Sequence, residues 1–570
     1  MAVVRVDEWQ SGTYAQGRSF GAAGPAVMRR LRLEHAVDPA AAANESIVDL
    51  ALADRDPDGR VRFEHDVTIL QPADPSRRNG WALVDVVNRG TPTVPTYLLG
   101  DNRPLFPAPS EPPAGDGYLL EQGWALVYAG WQFDIAAGAA LGLRAPILRE
   151  NGRDIRGTVS YGARPSLNSP RLALAAPGHW AWPVAPGGVA TLYEDDVAIP
   201  AGRWSIADNG TWALMATGFR AGCTYRCEYE TVGAYCAGTG LLALRDVVPW
   251  LRGAEGIGHA MLFGVSQSGR VIRQFLSDGL NADESGEPVY EAVMPVIAGA
   301  RRGQFNCRFG VPGTLPNVPS EVDEIGTWGH VLAASDARGV TPKVMALNTS
   351  SEYWRGDGAR VHGDEHPAVR VHHVAGTQHP SGGVPQLFEM PILGWKGQHG
   401  FNTVDWRPIL RALVRQTVDW VEGRIPPGPS VLPEGNELSD RATVLEHFRA
   451  MGKATPRVES FAIPEGAVPA VDDVGNEPGG IQLPDVAAPI GVHTGWNVRH
   501  PDTGAPLDEM FLMGSTWWFD ELPSLADHLA ASQLVITDLI SRRLVLAGDE
   551  HLLLAAAEKR WHAARASRPR

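Results

Sequence analysis

The sequence predicts an α/β protein built on a mostly parallel central sheet that is covered on both faces. Short apolar runs without polar alternation recur from residue 81 onward, separated by segments with a helical period, which is the pattern of strands buried on both sides by helices. The 63 Gly and 45 Pro, close to a fifth of 570 residues, imply many turns and argue against a helical bundle. Hydrophobic residues at 44% and charged residues at 20% describe an ordinary globular composition and exclude disorder as the main state.

Charge and cysteine content narrow the function classes. Fifty Lys and Arg against 65 Asp and Glu leave a net charge of −15 with no basic block, so nucleic acid and anionic membranes are not expected partners. Acidic residues follow Met1 where a signal peptide would need an apolar core, and no run approaches 18 apolar residues, so the expectation is a cytoplasmic protein with no anchor. Cys223, Cys227, Cys236 and Cys307 are too few for a disulfide scaffold. The Cys223-x3-Cys227 spacing lacks a second ligand pair for zinc, so all four read as structural thiols. Oligomeric state is not legible.

Residues 1–75 read as a β-rich lead-in, with strands at Ser46 to Leu52 and Val61 to Leu70 separated by Asp, Pro and Gly turns. Residues 76–150 open the core with strands at Ala82 to Val87 and Trp124 to Tyr128 around a short helix at Tyr118 to Gln122. Residues 151–238, rich in Gly, Pro, Trp and Tyr and lacking a helical period, read as an inserted cap. The βα series resumes over 239–455, with a helix at Thr239 to Arg252, a strand at His259 to Phe263, a helix at Arg270 to Leu280 and a strand at Ala292 to Ile297. Strands at Lys343 to Leu347 and Ala368 to Val374 follow, then an amphipathic helix from Trp406 to Glu422 that stops before Pro426-Pro427. Residues 456–570 form an irregular extension expected to wrap the core, closing in a helix at Glu550 to Arg565. No repeat or low-complexity tract interrupts the chain.

Gly264-Val265-Ser266-Gln267-Ser268-Gly269 joins a predicted strand directly to a predicted helix. A sharp turn there would lift the Ser266 hydroxyl above the sheet edge, and Gly264 and Ser268 supply the small neighbours that nearly colliding backbones demand. The competing reading is a serine-rich helix N-cap. A serine hydroxyl needs a base to take its proton, and the base needs an orienting carboxylate, following in the order Ser, acid, His. Glu352 in Asn348-Thr349-Ser350-Ser351-Glu352-Tyr353-Trp354 and His379 in Ala375-Gly376-Thr377-Gln378-His379-Pro380 each follow a strand. Both therefore sit at the sheet edge where catalytic groups collect. Asp357 and Asp364 stand as alternatives to Glu352, and His372 or His373 as alternatives to His379. His330, His362, His366 and His399 read as solvated loop residues.

Acyl transfer also needs donors for a developing oxyanion. The backbone N–H of Gln267 is one candidate. The loop Asn88-Arg89-Gly90-Thr91-Pro92 offers a second from Arg89 or Gly90, unless it is an ordinary turn. Trp180 and Trp182 in the cap-like stretch, with Trp354 beside the acid, could line an apolar pocket or equally form local core.

With these residues in place, the chain resembles a bacterial family of α/β-hydrolase domain proteins assigned as serine esterases. The resemblance spans nearly the whole chain through Val87-Asn88-Arg89-Gly90, Gly218-Phe219-Arg220-Ala221-Gly222, Gly240 to Asp246, Gly264 to Arg270, Asn348 to Trp354, Gly376 to His379 and Thr494-Gly495-Trp496-Asn497. It implies an α/β-hydrolase fold with a serine nucleophile, and its Ser-Gln, Ser-Ser-Glu and Gly-Thr-Gln-His motifs fall on Ser266, Glu352 and His379. It also implies that the tail from about 455 belongs to the same domain. Pro380 departs from the small residue commoner after the histidine.

The expected function is hydrolysis of a neutral, moderately hydrophobic carboxylic ester, because no Arg or Lys clamp stands near the motifs. An amide, lactone or thioester would use the same groups. No metal or organic cofactor is required by that chemistry, and no H-E-x-x-H set appears. The reading from another class is a hydrolase-fold binding protein without activity.

Overall fold

In this computed structural model, the described residues are 2–103, 109–135, 140–313, 326–362, 366–391, 394–461, 463 and 465–567. Among them the main sheet is built from β1 (Val3–Thr13), β2 (Gly24–Val37), β3 (Val61–Pro72), β4 (Trp81–Val86), β5 (Ala125–Ala129), β6 (His259–Val265), β7 (Ala292–Val296), β8 (Lys343–Thr349) and β9 (Val369–Val374). Their spatial order is β1-β2-β3-β5-β4-β6-β7-β8-β9. Neighbours from β5 to β9 are parallel. Every residue of β4, β5 and β7 is buried, the burial their unbroken apolar sequence demands.

The amino-terminal strands do not stand apart as a lead-in. They continue the same sheet, antiparallel, through β3 against β5, so the sheet is mixed. Their alternation fits this position: Leu31, Leu33 and His35 turn into the core while Arg30, Arg32 and Glu34, on the opposite face, stay partly exposed. The strand expected at Ser46 to Leu52 is instead a run of turns ending in a 3₁₀ turn at Leu50–Leu52. Ile47 and Leu50 are still buried, but the backbone finds side-chain partners rather than a strand: the Val48 N–H donates to Asn306 Oδ1 at 3.0 Å and its carbonyl faces Cys236 Sγ at 3.5 Å.

The segment read as a cap folds into small antiparallel sheets. Arg156–Ala163 and Ala190–Glu194 flank Tyr225–Val232, and Trp212–Phe219 lies between Ser169–Ala173 and Trp204–Ile206. They join the core through aromatic rings: Phe133, Trp180, Trp182 and Tyr235 lie with centroids 5.1 to 5.9 Å apart, and Phe309 sits 5.4 Å from Trp182.

Helices α1 (Thr239–Glu255), α2 (Gln267–Ser277), α3 (Trp328–Arg338), α4 (Ser350–Trp354), α5 (Arg407–Val421), α6 (Leu525–Ser541) and α7 (Glu550–Ala566) complete the elements used below. The helix expected at Arg270 to Leu280 starts three residues earlier, because the chain turns out of β6 directly into α2. It stops before Gly279, whose φ of +69° ends the helical path. The extension read as irregular ahead of its closing helix contains α6, begun by Ser524, whose hydroxyl accepts from the Asp527 N–H at 3.1 Å. Its partner is α7. Among the described residues no helix is long and apolar enough to cross a membrane.

The order of strands fixes where chemistry can gather. From β4 the chain runs to β5 on one side and returns to β6 on the other, so the loops leaving β4 and β6 flank the switch point of the sheet. The loops after β8 and β9 open on the same edge. Leu539 on α6 is 1% exposed and belongs to the main core cluster. Leu539→Ala should cost about 2–5 kcal/mol, read as a lower urea midpoint with an unchanged slope; a change below 1 kcal/mol would show that α6 is not packed as described.

Candidate active site

The turn between β6 and α2 is built by steric necessity. Ser266 holds φ +59° and ψ −113°, a conformation that costs a non-glycine residue roughly 1–3 kcal/mol, and its N–H is anchored to the Val296 carbonyl at 2.9 Å. A Cβ on Gly264 would lie 2.6 Å from the Ser268 carbonyl oxygen, which is why only glycine fits there. Ser268 stands where the commonest elbow has glycine. Its hydroxyl donates to the Val265 carbonyl at 3.0 Å and accepts from the Val265 N–H at 2.9 Å, tying the helix start to the strand end.

His379 and Glu352 reach Ser266 from the loops after β9 and β8. His379 Nε2 lies 2.7 Å from Ser266 Oγ, and Nδ1 lies 2.6 Å from Glu352 Oε1. The other carboxylate oxygen of Glu352 accepts from the Thr349 N–H and hydroxyl, both at 2.7 Å, so it caps the helix on which it sits. Glu352 is fully buried and His379 nearly so. Burial pulls the His379 imidazole below its ordinary range, against the opposing pull of Glu352. The ring is therefore neutral near pH 7, the form that can accept a proton, with Nδ1–H donated to the carboxylate.

The loop after β4 closes the other side. Asn88 Nδ2 donates to the Val265 carbonyl at 2.9 Å, pinning this loop to the strand that carries Ser266. Arg89 and Gly90 take φ of +51° and +77°, and a Cβ on Gly90 would meet Ala140 Cβ at 2.7 Å. Gln267 begins α2, where first-turn N–H groups have no intrahelical acceptor. Its side-chain amide donates to the Pro312 carbonyl at 2.6 Å, and Arg89 Nη1 donates to the next carbonyl, Gly313, at 2.7 Å. Burial pushes the Asp134 carboxyl up to about 6, against the nearby Arg89 guanidinium. Burial, then Arg89, pushes His179 down to about 4.

The remaining candidates are dispersed. Asp357 is fully buried; burial raises its carboxyl, but the Arg355 guanidinium, 2.6 Å away, holds it below the usual range. Asp364 lies outside the described residues. His372 is buried with burial holding it down near 4, and His373 Nε2 meets Glu477 at 3.0 Å. Of the four histidines expected in solvent, only His330 is exposed. His362 contacts the Tyr353 hydroxyl at 2.5 Å, His366 the Asp336 carboxylate at 3.1 Å and His399 the Ala454 carbonyl at 2.8 Å, because the loops that carry them pack onto neighbouring segments. Trp180 and Trp182 share the aromatic cluster beside Phe133. Trp354 belongs to a different one, with Phe461 and Trp496. Among the described residues no three His, Cys, Asp or Glu are grouped to hold a metal, and the four cysteines are unpaired.

Supporting side chains around Glu352 and His379 escaped the sequence reading. Ser351 Oγ accepts from the His379 N–H at 3.0 Å and donates to the Gly495 carbonyl at 2.8 Å. Asn402 Nδ2 donates to the carbonyls of Gly376 and Thr494 at 2.7 and 2.9 Å. The hydroxyl pair just before Glu352 was a visible signal for Ser350 and Ser351; Asn402 carried none.

A family model described as alpha/beta hydrolase domain matches residues 239–550, more than half of the chain, and the protein belongs to that family. The matched stretch contains Ser266, Glu352 and His379. No curated protein matches the chain. Among solved structures, it is similar to a glucuronoyl esterase from Solibacter usitatus at 10% identity, covering 65% of this chain and 80% of that one with a TM-score of 0.27. A ligand-bound form of the rice cell wall degrading esterase LipA from Xanthomonas oryzae is also 10% identical, over 65% of this chain and 90% of that one, with a TM-score of 0.26. A CE15 glucuronoyl esterase from Teredinibacter turnerae T7901 is 11% identical over 66% and 74%, with a TM-score of 0.27.

Two outcomes follow from this geometry. Gly264→Ala forces the turn to shift and should lower the rate of serine-directed labelling by on the order of 10²-fold; labelling at the native rate would contradict the close approach. If His379 acts as a base, kcat/KM should rise with pH through a limb whose apparent pKa lies below the ordinary imidazole value of about 6.5, the direction in which burial moves this imidazole. A limb midpoint above 7 would exclude it.

Proposed function

We propose that this α/β-hydrolase domain protein is a serine-dependent hydrolase that cleaves a neutral, moderately hydrophobic carboxylic ester through an acyl-enzyme. The observation that carries this reading is the unbroken chain from Glu352 through His379 to Ser266, at 2.6 and 2.7 Å, ending on a serine held at positive φ. His379 takes the Ser266 proton as Oγ attacks the carbonyl carbon, and Glu352 stabilises the imidazolium that forms. The backbone N–H of Gln267, with that of Arg89 or Gly90, donates to the oxyanion. His379 then returns the proton to the leaving alcohol. Water, activated in turn by His379, attacks the acyl carbonyl and frees the acid and Ser266.

Charge around the site supports a neutral substrate. Arg89 already donates to the Gly313 carbonyl and faces Asp134, Arg355 pairs with Asp357, and Arg270 donates to the Arg302 carbonyl at 3.2 Å. These guanidinium groups are engaged by the protein. In this reading residues 151–238 act as a cap over the edge carrying Arg89, with Trp180 and Trp182 as its apolar wall and Trp354 beside the acid. Residues 456–570 are an extension of the hydrolase core formed by 76–150 and 239–455, with 1–75 the β-rich entry to it.

Intact-mass analysis after exposure to a fluorophosphonate tests the reading. One label per wild-type chain is expected, absent in Ser266→Ala and slowed by on the order of 10³-fold in His379→Ala. A folded wild type that takes no label would overturn the nucleophile and leave the chain as a binding protein. A labelled enzyme that turns over only charged or phosphorylated esters would overturn the substrate class.

A further inference from the structure

Glu477 lies about 100 residues beyond His379, past α5, in a segment with no strand in the main sheet. It is 3% exposed, and one oxygen carries its contacts. Oε2 accepts from the Ser350 hydroxyl at 2.7 Å and the Gly376 N–H at 2.8 Å, and faces His373 Nε2 at 3.0 Å. The Ser350 hydroxyl in turn accepts from the Thr377 N–H at 3.1 Å. Ser350 begins α4, two residues before Glu352, while Gly376 and Thr377 open the turn that ends in His379.

We propose that Glu477 is a positioning residue that fastens the turn carrying Glu352 to the turn carrying His379. The inference rests on the reading of Ser266, His379 and Glu352 given above. Two donors, the Ser350 hydroxyl and the Gly376 N–H, and the His373 ring converge on one buried oxygen. Without the carboxylate, the Ser350 hydroxyl and the Gly376 N–H lose a buried acceptor, and each such loss is costly. What remains between the two turns is the bond from the Thr377 N–H to the Ser350 hydroxyl, the Ser351 bridge to the His379 N–H and the contact between Glu352 and His379 itself. A displacement of about 1 Å between reacting groups is enough to lower a rate by roughly 10²-fold.

Glu477 is itself held firmly. Its neighbour Asn476 donates through Nδ2 to the Gly491 carbonyl and accepts through Oδ1 from the His493 N–H, both at 3.0 Å. Gln482 Nε2 donates to the Glu477 carbonyl at 3.0 Å. Ile481 lies alongside the end of β9: its N–H donates to the His373 carbonyl at 2.7 Å, and its carbonyl accepts from the Ala375 N–H at 2.9 Å. The clamp thus belongs to a rigid layer on the outer side of β9, and the site is incomplete without the C-terminal region.

The test uses the full chain and the rate constant of fluorophosphonate labelling at Ser266. A misfolded fraction lowers the amplitude of that reaction, whereas a displaced base lowers its rate constant. Glu477→Met keeps the length of the side chain but removes the acceptor, and should slow labelling by about 30- to 100-fold at near-full amplitude. Ser350→Ala, which removes the bridge from the other side, should slow it by about 10-fold, and the double variant should be slower than Glu477→Met by less than twofold, since both break the bond between Ser350 and Glu477. Leu539→Ala, destabilised but remote from the two turns, should label at the native rate constant.

A native rate constant in Glu477→Met, with Ser266 labelled in wild type, would overturn the positioning role and leave the triad standing. Equal slowing in Leu539→Ala would reduce Glu477 to general stability and overturn it as well. If Glu477→Met does not fold, Ser350→Ala decides by the same criterion. Absence of any label on wild-type Ser266 would be a failure of the triad itself, visible before any Glu477 variant is made.

Discussion

The contact between Ser266 Oγ and His379 Nε2 joins residues 113 positions apart, and most of the architecture can be understood as the condition for it. The two atoms belong to loops leaving different strands, and Glu352 must reach the same imidazole from a third. Only the parallel order from β4 through β9 puts the ends of β6, β8 and β9 on one edge of one sheet. Burial of that sheet on both faces then makes its strand positions stiff, since close-packed interiors resist small displacements.

Local strain is the second requirement. Ser266 and Arg89 hold positive φ, and the surrounding bonds over-determine these conformations. Asn88 holds the first loop to Val265, and Ser268 holds the start of α2 to the same residue. The departure from the commonest elbow sequence at Ser268 therefore adds two hydrogen bonds where glycine would offer none.

Charge is handled by pairing within the protein. Asp357 is matched by Arg355, and Arg89 lies against Asp134, so strong local fields are cancelled close to their source. Burial holds the His379 imidazole below its ordinary range, against the opposing pull of Glu352. The C-terminal region contributes a different kind of support, since Gly495 and Glu477 bond to the turns that carry Glu352 and His379, and Asn402 links Thr494 to the second of them.

The sequence by itself determined the βα rhythm of the core, the strand-to-helix turn at Gly264 to Gly269, and the order of serine, acid and histidine candidates after successive strands. These are legible because they depend on local sterics and on periods of two or 3.6 residues. Tertiary structure alone decided that the N-terminal strands join the main sheet, that Ser46 to Leu52 remains a chain of turns, and that His362, His366 and His399 are held by other groups. It also decided that Glu477 meets Ser350 and Gly376, a pairing between segments more than 100 residues apart. Such contacts leave no period in the sequence, because they are set by which strands lie side by side, and that choice is made by burial of the whole sheet rather than by any one stretch of it.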